Sequence, residues 1–280
     1  MARIGFMQGR LSPQVDGKIQ AFPWSHWQEE FAAAREHRFP LMEWTLDAER
    51  LHENPLLTRE GRAEIGFLAR RNGVSVQSLT ADFFMQEPFH KAEGAERSRR
   101  LAELDAVLDA CRSLGVRYIV IPLVDNGRME TPAQEEDVLR TLAAMASRLE
   151  AAGMAIVFEC DYPAQRLAGF IARLPARSFG INYDIGNSAA LGYDTDEELG
   201  AYGDRVMNVH VKDRVRGGTT VPLGTGGADL PRTFRALRRA RYAGDFILQT
   251  ARAADGDHAG ALLRYRSLCE QWLADAARGS

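Results

Sequence analysis

Cysteine is scarce in this chain of 280 residues. Cys111, Cys160 and Cys269 are far apart and odd in number, and no C-x-x-C pair occurs. A disulfide framework and a cysteine-built zinc site are therefore excluded. No run approaches the roughly 18 apolar residues that a membrane span needs. The stretch Met1–Leu11 carries Arg3 and Arg10 but no long apolar core, so it does not read as a signal peptide. Neither sign of charge dominates: 35 Lys+Arg stand against 38 Asp+Glu, a net charge of −3. The basic excess of a nucleic-acid binder is missing. No Pro/Ser-rich linker divides the chain. The hydrophobic fraction of 45% and charged fraction of 26% lie at globular averages, which excludes disordered, collagen and coiled-coil readings. The expectation is a soluble, cytoplasmic chain with no nucleic-acid or membrane partner.

What is present is a recurring unit of short apolar run and amphipathic helix. The runs read as strands are Arg3–Met7, Leu41–Trp44, Val74–Leu79, Tyr118–Leu123, Ala155–Cys160, Phe179–Tyr183, Val206–Val211 and Asp245–Gln249. Several are apolar at successive positions, as strands of a parallel sheet buried on both faces are. Between them Leu101, Leu104, Leu108 and Cys111, and likewise Val138, Leu142, Met145 and Leu149, mark single buried helix faces. Glu96, Arg99, Arg100 and Glu103 read as a solvated face. Asn72-Gly73-Val74, Leu114-Gly115-Val116 and Ala152-Gly153-Met154 each place a glycine just past a helix, where it can turn left-handed into the next strand. Gly9–Trp24, Pro88–Gly94, Asn187–Asp196 and Asp213–Pro231 read as irregular. Eight strand–helix units fit one closed (β/α)₈ barrel over residues 1–280, with a C-terminal helix at about 257–277. A Rossmann-type sheet is disfavoured, because no G-x-G-x-x-G follows the first strand.

The active site of such a barrel lies at the C-terminal ends of its strands. Glu159, Asp184, His210 and Gln249 stand near the last inward positions of four consecutive predicted strands. Charged groups in a barrel mouth are costly unless paired or bound to metal. Two carboxylates, an imidazole and a carbonyl oxygen suit one divalent ion such as Mn²⁺, Mg²⁺ or Co²⁺; Zn²⁺ is compatible but less favoured without thiolates or more histidine.

These residues resemble those of the xylose isomerase-like TIM barrels, a superfamily that includes sugar-phosphate isomerases and epimerases, ketose 3-epimerases, hydroxypyruvate isomerases, inosose dehydratases and endonuclease IV. The resemblance covers nearly the whole chain. It rests on Phe158-Glu159, Tyr183-Asp184-Ile185-Gly186-Asn187, Val209-His210-Val211-Lys212-Asp213 and Pro222-Leu223-Gly224-Thr225-Gly226. It implies one divalent metal held by Glu, Asp, His and Glu, which map to Glu159, Asp184, His210 and position 249. Position 249 departs from the pattern, since glutamine stands where glutamate is expected. An amide has no useful basicity near neutral pH, so a two-base 3-epimerase is the version most weakened.

The resemblance implies a metal-dependent isomerase or epimerase of a sugar or sugar phosphate, with Glu159 moving a proton and Lys212 stabilising an enediolate oxygen. The same ligands also suit a dehydratase of a keto-polyol or cyclic keto acid, or a sugar-binding relative that lost catalysis with the glutamate. Endonuclease activity would need more metal-binding histidines and a basic groove. Arg10, Glu43, Asp82, Asn187, Asp213 and Arg252 fall near strand ends as candidate substrate contacts. Arg214 and Arg216 join Arg10 and Arg252 as candidates for a phosphate or carboxylate. The glycine-rich stretch Gly217–Gly227 offers backbone amides that could cradle an anion. Trp24, Trp44 and Phe83-Phe84 read as core or pocket wall. His26, His37, His52, His90 and His258 read as surface residues. Relatives of this kind often form dimers or tetramers, so a homodimer or homotetramer is expected.

Overall fold

The computed structural model describes residues 2–278. Eight parallel strands close into a barrel in the order one, eight, seven, six, five, four, three, two. They are Ile4–Met7, Leu41–Thr45, Ser75–Thr80, Tyr118–Leu123, Ala155–Cys160, Phe179–Asp184, Val206–Val211 and Phe246–Leu248. Three of the eight match the sequence reading to the residue, and the others shift by one residue at one or both ends. The third strand starts at Ser75 rather than Val74, because the Val74 N–H still donates to Ala69 O at the helix end.

Glycine sets the helix-to-strand turns as expected. Gly73, Gly115 and Gly153 close Arg59–Asn72, Gly94–Leu114 and Ala146–Ala152 with φ of 68°, 74° and 65°. Several helix N-termini are capped by side chains. Thr131 and Gln134 form a reciprocal capping box ahead of Pro132–Ala143. Asp229 accepts from Arg232 N at the start of Leu230–Arg239. The C-terminal helix runs His258–Arg278.

Some stretches are more regular than their sequence implies. Residues 187–196 contain the end of helix Ile185–Leu191 and the start of helix Thr195–Tyr202. Asp184 and Asp194 cap these helices, which makes short helices favourable where glycine and asparagine suggest a loop. Residues 213–231 contain a two-residue antiparallel ladder, Asp213–Arg214 with Thr220–Val221. Arg100 and Glu103 are not solvated: both are buried, paired at 3.3 Å, with the Arg100 guanidinium over Phe83 at 5.6 Å. His90 is buried as well. Trp44, Phe83 and Phe84 belong to the core, and Trp24 packs against it. No described helix is long and apolar enough to cross a membrane.

Candidate functional site

Side chains alternate along a strand, so each strand end commits some residues to the helices and others to the barrel interior. Phe158 turns outward against Phe170 and Phe179, which sends Glu159 inward. Tyr183 turns outward, donating its hydroxyl to Glu198, which sends Asn182 and Asp184 inward. Asn208 and His210 share the inner face of the seventh strand. Glu159, Asp184 and His210, all buried, bring one ligating atom each within 4.8 Å of one another. Asp184 and His210 are register partners on adjacent strands.

The His210 ring is oriented from across the barrel. Its Nε2 lies 2.6 Å from Glu43 Oε1. The other ring nitrogen, Nδ1, faces Glu159 Oε2 at 3.3 Å and Asp184 Oδ2 at 3.9 Å. A carboxylate behind an imidazole is how proteins fix the orientation of a metal-binding histidine. Glu43 is itself held by Thr80 Oγ1 at 2.6 Å and Asn208 Nδ2 at 3.0 Å. Asn182 Nδ2 bridges Glu159 Oε2 and His210 Nδ1, each at 3.0 Å. Burial alone would push His210 down, but the charges and hydrogen bonds of Glu43 and Glu159 carry it up to about 10. Burial raises Glu159, yet hydrogen bonding to His210 and the Lys212 charge bring it below the ordinary carboxylate range. Burial keeps Asp184 above that range despite Lys212.

Asp184 serves two partners. Its Oδ1 accepts from Asn187 N at 2.9 Å, capping the next helix. Its Oδ2 is buried with no aligned hydrogen-bond donor, although Lys212 Nζ lies 2.7 Å away. Lys212 also donates to Gln249 Oε1 at 3.0 Å. Asn187 Nδ2 donates to Glu159 Oε1 at 2.5 Å, and its Oδ1 accepts from Arg214 Nη1 at 2.7 Å. On the far side of the mouth Gln249 Nε2 donates to Gln20 Oε1 at 2.8 Å, and Gln20 Nε2 donates to Asp82 Oδ2 at 2.6 Å. Burial and the nearby Asp47 charge push Asp82 up to about 7. The structure thus brings the sequence candidates Glu159, Asp184, His210, Lys212, Gln249, Asn187 and Asp82 together at the barrel mouth.

Glu43 and Asp213 are placed differently from a substrate contact. Glu43 is fully enclosed, its oxygens spent on His210, Thr80 and Asn208. Asp213 is equally buried. Its Oδ2 accepts from Gly224 and Gly226 N, each at 2.9 Å, and its Oδ1 from Ala228 N at 3.1 Å. The glycine-rich segment does cradle an anion, but that anion is the chain's own carboxylate. Arg214 is tied to Gly218 O and Asn187. Arg10 is buried and Arg252 half-buried, both at the junction of the first and eighth strands.

Sequence reasoning missed Asn182, Asn208 and Gln20. The first two had a signal, since they lie two residues before Asp184 and His210 on the same strand faces. Gln20 had none, because it comes from an irregular stretch.

The model of a family described as xylose isomerase-like TIM barrel matches residues 31–268. L-ribulose-5-phosphate 3-epimerase UlaE of Salmonella heidelberg (strain SL476) is 28% identical over 80% of this chain and 81% of its own length. A xylose isomerase domain protein from Planctomyces limnophilus superposes with a TM-score of 0.77 at 18% identity, covering 99% of both chains. An L-ribulose 3-epimerase structure superposes with a TM-score of 0.76 at 19% identity, covering 100% of this chain and 97% of its own.

Proposed function

Because the chain belongs to the xylose isomerase-like TIM barrel family, we propose that it is a divalent-metal-dependent isomerase or epimerase of a sugar or sugar phosphate. The observation that carries this reading is the convergence of Glu159, Asp184 and His210 at the barrel mouth, with Glu43 turning the imidazole toward the two carboxylates. Two carboxylates and an imidazole, with the buried Asp184 Oδ2 lacking an aligned donor, fit a hard or borderline divalent ion. The Gln249 carbonyl oxygen is the fourth candidate ligand. The name of the Salmonella relative points to the same substrate class.

A bound divalent ion supplies Lewis-acid polarisation of a ketose carbonyl and its neighbouring hydroxyl. The protein supplies the rest. Glu159, held by Asn187 on one oxygen and Asn182 on the other, moves the proton at the carbon beside the carbonyl. Lys212 presents an ammonium group to the oxygen that gains charge as that proton leaves. Gln249 can bind but cannot take a proton. A further carboxyl at the mouth with matched acidity is Asp82, linked to Gln249 through Gln20.

The expected result is that the purified protein carries roughly one divalent ion, as a single-metal Lewis-acid site requires. Chelation should abolish turnover of a ketose or ketose phosphate, and Mn²⁺, Mg²⁺ or Co²⁺ should restore it. In heavy water the product should gain deuterium at the exchanged carbon. Full activity in metal-free protein refutes the proposal, and an enone chromophore in place of exchange assigns the site to dehydration.

A further inference from the structure

Among the described residues, the buried side-chain atoms without a hydrogen-bond partner are not scattered evenly. Gln8 Nε2, Arg10 Nη1, Thr250 Oγ1 and Arg252 Nε lack one, and all four lie just past the first and eighth strands, which are neighbours in the barrel. All four can donate a hydrogen bond. Buried polar groups in folded proteins are nearly always satisfied, and a cluster of donors without acceptors calls for an acceptor-rich ligand.

The two arginines are held close together by the backbone. Arg10 Nε donates to Thr250 O at 3.0 Å, and Arg252 Nη1 donates to Ser12 O at 2.7 Å. These bonds go to carbonyl oxygens, not to carboxylates. Glu30, the carboxylate beside the pair, spends both oxygens on Gly9 N and Leu11 N at 2.8 and 2.9 Å. Burial and the Arg252 charge push Arg10 down to about 9, and burial pushes Glu30 up to about 7. The remaining bond of Arg10 reaches Gln20 Oε1 at 3.4 Å, the same oxygen that accepts from Gln249 Nε2 at 2.8 Å. That amide oxygen occupies the place of a ligand acceptor between the arginine and the Glu159–Asp184–His210 centre. The other anion cradle on this face, the glycine segment, is filled by Asp213.

We propose that Arg10, Thr250 and Arg252 form the subsite for an oxyanion group at the far end of the substrate, and that this group is a phosphate monoester. A phosphoryl group meets several donors at once, and arginine matches its geometry bidentately. The subsite rests on the reading of the barrel mouth as a sugar site. An incoming phosphate takes over the donors that Gln20 now receives.

Calorimetry on the full chain with inorganic phosphate and with acetate tests the subsite without any knowledge of the sugar. Wild-type protein is expected to bind phosphate saturably, and Arg252→Gln and Arg10→Gln to weaken it at least ~10-fold, the value of a charge-assisted hydrogen bond. Arg10 is enclosed, so thermal melting checks that variant; if it does not fold, Arg252→Gln decides. Acetate binding without phosphate binding overturns the phosphate assignment. No saturable binding of either, or equal binding in wild type and variants, overturns the subsite. Turnover separates the two layers. A ketose and its phosphate turned over with equal kcat/KM refute the subsite and leave the isomerase reading standing. No turnover of either, with phosphate binding that depends on Arg252, refutes the isomerase reading and leaves the subsite.

Discussion

Glu43→Gln tests how the proposed metal centre is built, because it removes a charge without changing size at a residue fully enclosed behind His210. Glu43 accepts from His210 Nε2 and Thr80 Oγ1 through Oε1, each at 2.6 Å, and from Asn208 Nδ2 through Oε2 at 3.0 Å. A glutamine can keep its oxygen toward His210 only by pointing its NH₂ at Asn208. That places donor against donor in an enclosed site and costs about 1–3 kcal/mol of fold stability. The imidazole also loses the carboxylate that fixes its Nε2–H tautomer and raises the basicity of Nδ1. Loss of such a supporting carboxylate weakens metal binding by about 10- to 100-fold, which is about 1.4–2.7 kcal/mol. Competition against a chelating fluorophore with Mn²⁺ and Co²⁺ measures the affinity, and urea unfolding of the metal-free protein measures the stability. A dissociation constant within twofold of wild type, in a variant that still folds, refutes the idea that Glu43 orients a metal ligand.

Glu30 carries a pH signature: burial lifts it from 4.5 to about 7. A carboxyl raised in this way favours the folded state as the acid. That contribution is present in full below pH 4.5 and lost as the pH rises through 7, to the extent of about 3 kcal/mol. Urea unfolding across this window should show a fall in stability that Glu30→Gln flattens, and an unchanged slope refutes the assignment. Asp213→Asn replaces an acceptor of three backbone N–H groups by an amide that can serve at most some of them. Stability should drop by about 1–3 kcal/mol, and hydrogen exchange should rise over residues 215–228; protection equal to wild type counts against the cradle. Gln249→Glu adds a third negative charge beside Asp184 and Lys212. Divalent-ion affinity should rise at least ~10-fold on Coulombic grounds, and an unchanged affinity removes position 249 from the ligand set.

Much of the fold was legible because its signals are local. A strand buried on both faces must be apolar at successive positions, as Tyr118-Ile119-Val120-Ile121 is, and a glycine is wanted wherever a helix turns left-handed into a strand. The ligand candidates were legible for a related reason. Glu159, Asp184 and His210 are ionisable residues at the ends of otherwise apolar runs, where only function or pairing tolerates them. Glu43 carried the same mark, but its partner could not be read. His210 lies on a strand that is not adjacent to the second, and the two meet only because the sheet closes. The glycine-rich segment misled for the opposite reason, since composition marks an anion cradle but not whether a nearby side chain fills it.

The sequence by itself determined the repeating strand–helix unit, the caps that punctuate it and the identity of the charged residues at the strand ends. These depend on periodicity and backbone preference over a few residues. Only the tertiary structure decided which of those residues share a space. Barrel closure turns Glu43 onto His210, seats Asp213 in its own loop and brings Arg10 beside Arg252. Those contacts join residues far apart in the chain, and in a low-dielectric interior whether a charge finds its partner within about 4 Å decides whether it supports the fold or waits for a ligand.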